Sequence, residues 1–157
     1  MIEFFPVKEK KFRLLGDQAE TLNRLNRRTE ESTNLTSRLT DKALVGVVDR
    51  NQFKVITSAI GFGAFCVMTG VVEKRKGHVN VEIHKAFRIL FGVLFCLPVV
   101  GLFVILFTGK EEFSPFYLLV VVLQMLFIRF AFIGLFFRVL SKASLNRLRY
   151  VLDVEWV

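Results

Sequence analysis

Residues 78–107 read HVNVEIHKAFRILFGVLFCLPVVGLFVILF, and the fold turns on how this stretch is read. Up to Ile83 the apolar side chains alternate. Val79, Val81 and Ile83 fall on one face, and His78, Asn80, Glu82 and His84 on the other. That is the period of a half-buried strand. From Ile89 to Phe107, 19 residues then pass without a charge. A second block, Phe116 to Phe137, holds 22 residues and one charge, Arg129. At about 1.5 Å per residue the blocks reach about 28 and 33 Å, enough for a hydrocarbon core of about 30 Å. A strand therefore hands over directly to a helix of membrane-spanning length.

These two blocks reconcile an otherwise odd composition. The chain has 157 residues, is 53% hydrophobic with 18 Phe, and is still 23% charged. By length it is one domain. What remains outside the blocks is too small to bury two such helices in a soluble core. Residues 1–88 carry 16 Lys/Arg against 10 Asp/Glu, and the segment from Arg138 onward carries four against two. The connection Thr108 to Pro115 has one Lys and two Glu. Basic residues thus flank the pair of spans on the outside, at Lys74, Arg75, Lys76, Lys85 and Arg88, then at Arg138, Lys142, Arg147 and Arg149. The positive-inside rule predicts both termini in the cytoplasm. The formal charge of +8 then reads as topology and attraction to anionic lipid. Nucleic-acid binding would need a basic and aromatic face, and none stands out. The opening MIEFFPVKEKKF has neither the apolar run nor the cleavage site of a signal peptide.

The expected fold class is a membrane α+β protein, a two-helix transmembrane hairpin following a small antiparallel β module with an N-terminal amphipathic helix. Residues 1–42 are a polar segment with a short helix from about Asp17 to Glu31, where Ala19, Leu22 and Leu25 recur at helical spacing. Residues 43–84 form the β module as two hairpins, turning at DRNQ and at EKRKG. Residues 85–140 hold the spans, about 88–108 and 115–139. Pro98 is expected to kink the first. Residues 141–157 form a basic amphipathic tail, with Leu145, Leu148 and Leu152 on one face, expected to lie on the membrane surface with Trp156 as an anchor.

The run LVGVVDRNQFKVI, followed by MTGVVEKRKGHVNVEI and then a span, resembles a group of small bacterial membrane proteins of unknown function. The positions that carry the resemblance are Gly46, Phe53, Val55, Gly70, Val79 and Val81, over roughly Ala43 to Leu140. The chain departs from that pattern in the central loop, which reads SAIGFGAFC in place of a polar, Asn-containing stretch. The resemblance implies an architecture and no activity.

Candidate functional residues are few. Arg129 and Gln124 are the polar residues within the second span. An arginine exposed to lipid at mid-membrane costs about 2.5–3.5 kcal/mol on insertion scales. Arg129 therefore either snorkels toward headgroups or faces a partner or a water-filled path. Neither span contains an acid. Gly92, Cys96, Gly101, Ala131 and Gly134 are small residues that would let helices approach, within the chain or between copies. Cys96 lies mid-span and is not expected to pair with Cys66. In the loop, Gly61 and Gly63 free the backbone, and Phe62 and Phe65 could meet a ligand or partner. Glu82 and His84 are too few for a metal site, so neither metal nor cofactor is expected. No nucleophile, zinc or phosphate-loop motif occurs.

The sequence thus predicts a non-enzymatic accessory or scaffold subunit of a membrane complex, with lipids and other subunits or further copies as partners. The alternative is an oligomerising, membrane-perturbing effector triggered through the β module. In plan it is similar to antiphage effectors that join a small β-barrel to two helices, with the domain order reversed. An enzyme acting at the lipid surface is a distant third.

Overall fold

The computed structural model describes residues 5–38, 40–59, 62–108 and 114–157. The chain is α+β and falls into two compact units. One comprises the residues up to His84 together with Arg138–Val157, and the other is Lys85–Phe137. The connection at residues 109–113, and Gly61 of the apolar loop, lie outside the described residues.

In the α+β unit, strand β1 (Lys8–Leu14) is followed by helix α1 (Gln18–Arg28) and strand β2 (Thr29–Glu31). Strands β3 (Leu44–Asp49), β4 (Gln52–Thr57), β5 (Cys66–Glu73) and β6 (Lys76–Ile83) come next, with a 3-10 turn at Gly63–Phe65. After the hairpin unit the chain returns as the end of helix α4 (Phe136–Leu152) and finishes in strand β7 (Val154–Trp156). The strands make one seven-stranded sheet in the order β2-β3-β4-β5-β6-β1-β7. Only β2 runs parallel to its neighbour.

The alternating register explains the core. Val79, Val81 and Ile83 of β6 are buried, as are Val55 of β4 and Met68 of β5, which face each other across the pair. Two phenylalanines lie over glycines on the neighbouring strand. Phe53 pairs with Gly70 and Phe12 with Gly77, and a Cβ on either glycine would run into the ring. Gly46 has φ +154°, and a Cβ there would strike the Lys54 carbonyl. Only glycine fits that position. On β3–β5, Val45, Ile56 and Val67 form a cluster, with Leu35 and Ala64 packed on it.

Two expectations need correction. The polar segment at 1–42 contributes two strands as well as a helix. The segment at 141–157 is no surface tail. Leu145, Leu148, Val151 and Leu152 are buried, and β7 pairs with β1. An apolar stripe at helical spacing suits a protein core as well as a membrane surface. Here the core takes it, and Trp156 packs against Phe12.

The hairpin unit contains α2 (Lys85–Thr108), α3 (Pro115–Phe127) and a π-helical stretch, Ile128–Leu135, that leads into α4. Ser114 caps α3, accepting a hydrogen bond from the Phe116 N–H, and Pro115 opens it, where a missing N–H does no harm. α2 stays helical through Pro98 and contacts α3 and the π-helical stretch. The helical runs Lys85–Thr108 and Pro115–Leu152 are each long and apolar enough to cross a membrane. Only 6% and 11% of their apolar windows are buried. A core helix of a soluble protein would be mostly covered.

Candidate functional site

The tetrapeptide LNRL occurs twice, at Leu22–Leu25 in α1 and at Leu145–Leu148 in α4. Its last leucine is fully buried in both copies. Helical geometry then sets the neighbouring arginines on the rim of the buried stripe. The two copies serve one groove of about 1050 Å³ in the α+β unit, walled by Arg24, Arg27, Arg28, Arg147, Arg149 and Asp153. Leu15, Ala43 and Tyr150 are among the other residues that line it.

The guanidinium groups differ in what they touch. Arg24 is committed: Nη1 lies 3.1 Å from Asp153 Oδ2 and Nη2 lies 3.1 Å from Glu20 Oε1. Asp153, and after it Glu20, raise the affinity of Arg24 for its proton. Asp153 has φ +55° and donates its N–H to the Arg149 carbonyl, so the turn from α4 into β7 aims it at α1. Arg147 donates to Ser58 Oγ at 3.4 Å, and Arg149 Nε donates to the Val154 carbonyl at 3.3 Å. Among the described residues, Arg27 and Arg28 enter no ion pair. They sit in the last turn of α1, where cations favour the helix dipole. The groove therefore holds five guanidiniums and one carboxylate.

Sequence reasoning missed this site. Arg24 and Arg147 are over 120 residues apart, and neither segment alone is unusually basic. The repeated LNRL was the available signal.

The residues singled out in the spans scatter. Gly101 and Gln124 line one groove of about 520 Å³ between α2 and α3, with Tyr117 and Pro98. Gly92, Cys96, Ala131 and Gly134 do not line it. A Cβ on Gly92 or Gly101 would meet nothing within 4 Å, and one on Gly134 would sit 3.6 Å from the Arg129 carbonyl. Among the described residues, none of these glycines marks a tight approach to another part of the chain. Arg129 is half-buried and lies in the π-helical stretch, a geometry common at functional positions. The residue four before Ile128, Gln124, accepts the Ile128 N–H and is itself exposed.

The loop phenylalanines part company. Phe62 is 58% exposed, whereas Phe65 is 1% exposed. The 3-10 turn swings Phe65 into the core, so of this pair only Phe62 offers a contact surface. On β6, Asn80 Nδ2 donates to Glu82 Oε1 at 3.1 Å. Burial, and then the charge of Lys54, hold His84 below the usual histidine range. No group of three metal-ligating side chains occurs among the described residues. Burial pushes the Cys66 thiol up to about 12, against the opposing hydrogen bond with Ser144, so it is a poor nucleophile. No family model matches the chain, and no curated protein or solved structure is significantly similar to it.

Proposed function

We infer that the chain is a non-enzymatic, two-pass membrane protein that acts as an accessory or scaffold subunit through its α+β unit. The pairing of β7 with β1 carries this reading. The α+β unit is built from both flanks of the apolar hairpin. A unit that draws its sheet from both flanks requires both to lie on one side of a bilayer. The hairpin then crosses twice and returns. The basic flanks favour the cytoplasmic side, and a bacterial inner membrane follows from the resemblance. The uncovered apolar surface of both helices favours lipid or other subunits around them. Partners meet the α+β unit, whose exposed features include Phe62 and the arginine groove.

The test is mass measurement of the detergent-purified protein with its co-purifying chains identified. A foreign partner in fixed stoichiometry supports the subunit reading. A clean monomer, inert when expressed, overturns it.

The open space over Gly92 and Gly101 favours a second reading, in which helices of further copies pack there. A discrete homo-oligomer whose expression arrests growth would select that membrane-perturbing effector.

A further inference from the structure

We propose that the groove between α1 and the end of α4 binds a ligand carrying two or more phosphate groups. It rests on the α+β unit alone and stands or falls separately from the subunit reading. Five guanidiniums against one carboxylate leave the groove strongly positive. Arg24 takes up that carboxylate, Asp153, together with Glu20. Arg27, Arg28, Arg147 and Arg149 remain without a carboxylate partner among the described residues. Like charges around one concavity repel, and a concave wall focuses their field toward an anion.

The hardware is selective for phosphate in kind. A guanidinium presents five N–H donors in a planar fork that matches two phosphate oxygens at once. Arg147 and Arg149 each spend one donor group on Ser58 or Val154. These bonds brace the side chains and leave other N–H groups for a ligand. Arg27 and Arg28, in the last turn of α1, supply a second pair to the same groove. Two pairs of forks suit two phosphates better than one.

Size and apolar lining point the same way. A groove of about 1050 Å³ is far larger than inorganic phosphate requires. Tyr150 is 84% exposed beside the arginines, and Leu15 is 65% exposed. They offer an apolar shelf for the organic part of the ligand. Its phosphates could come from a soluble nucleoside polyphosphate or from the two glycerol-linked phosphates in the headgroup of a lipid such as cardiolipin.

The experiment uses the full chain in nanodiscs of neutral phosphatidylcholine. Adenosine triphosphate and inorganic pyrophosphate are titrated in, and in parallel the protein is moved to nanodiscs containing cardiolipin. Saturable binding of ATP or pyrophosphate identifies a soluble ligand. Saturable retention of cardiolipin, without competition by either, identifies a headgroup. In both arms the double variant R27A/R28A is expected to bind about a hundredfold more weakly, about tenfold for each guanidinium that the substitution removes. R147A should lose about tenfold, with R147K recovering part of it. The control K74Q/R75Q removes two charges from the β5–β6 turn, outside the groove lining, and should bind unchanged. Three results would overturn the proposal. They are no saturable binding of any probe, equal losses in groove and control variants, and single-stranded oligonucleotide outcompeting pyrophosphate at equal phosphate concentration. An unchanged thermal melt of R27A/R28A shows that a loss of binding is not a loss of fold.

Discussion

Phe12 and Trp156 are register partners across β1 and β7, and their rings meet edge to face, 6.1 Å between centroids at 85°. The first described strand is thereby joined to the last. Phe12 also covers Gly77 on its other neighbour, β6. One ring thus fastens the returning C-terminal segment to the hairpin strands.

That position makes Trp156 a test of how the unit closes. An edge-to-face pair contributes about 0.5–1.5 kcal/mol beyond the area it buries. Trp156→Ala also removes a large half-buried surface. The expected loss is about 2–3 kcal/mol, read as a lower denaturation midpoint by near-UV circular dichroism. Trp156→Phe should recover most of it. If removing the ring leaves the midpoint unchanged, β7 is not part of the stable sheet.

Two glycines of one chain should respond oppositely to the same added methyl. At Gly46 an alanine meets the Lys54 carbonyl with φ at +154°. Clash and backbone strain together should cost about 3 kcal/mol. At Gly92 nothing lies within 4 Å of the new Cβ. Gly92→Ala should leave the melt of the protein within about 0.5 kcal/mol. If Gly92→Ala instead dissociates an oligomer on a sizing column, a second copy occupies that open space.

The parts that were legible in the sequence are those with a local period. β6 was readable because Val79, Val81 and Ile83 alternate with polar residues and bury as that pattern demands. The two apolar helices were readable by length. β1 was not, because KEKKFRL shows only Phe12 and Leu14 as apolar positions, too few to reveal alternation among its charges. β7 is three residues long, and its existence depends on a partner strand that begins 146 residues earlier. The leucine stripe of the last helix was visible, but its period is the same whether it meets lipid or a sheet. The arginine groove failed for a related reason: each half is an ordinary basic helix end, and only the return of α4 into the α+β unit brings the halves together.

The α+β unit should lose stability on mild acidification. His84 is held below its usual range by burial and by Lys54, against an ordinary value of 6.5. The unfolded chain therefore takes up the proton at a higher pH than the folded one. Stability that is full above pH 6.5 falls as pH drops below it, until the folded histidine is protonated too. Thermal melts at pH 7.5 and 5.5 should show the decline, and His84→Gln should reduce it. A histidine variant that keeps the whole decline would assign it to other groups.

Arg129 can be weighed by insertion of the second span into microsomes. Arginine at the centre of a span costs about 2.5–3.5 kcal/mol, and leucine gains about 0.3–0.6. On the membrane-spanning reading, Arg129→Leu should favour insertion by at most about 3–4 kcal/mol. The gain shrinks as the guanidinium reaches toward headgroups. A gain below about 1 kcal/mol is the outcome expected of snorkelling. A gain near the upper figure, combined with loss of co-purifying subunits, would place Arg129 against a partner.

On the membrane-spanning reading, the pairing of β7 with β1 requires both flanks to share one side of the bilayer, and single cysteines in a Cys96→Ala background test this. Cys66 needs no replacement, since it is buried and its thiol is pushed up to about 12, which leaves almost no thiolate to react at neutral pH. Glu9 on β1 and Glu155 on β7 are both exposed and sit on neighbouring strands of one sheet. Cysteines at the two positions should behave alike, protected from an impermeant maleimide in intact cells and labelled once the membrane is opened. A cysteine at Glu112, in the connection between the spans, should be labelled in intact cells. Reversed labelling of all three would keep the hairpin and invert its orientation, against the positive-inside balance. Different labelling of the two strand positions in intact cells would be more damaging. It would put the two flanks on opposite sides of the bilayer, and β7 could not then pair with β1.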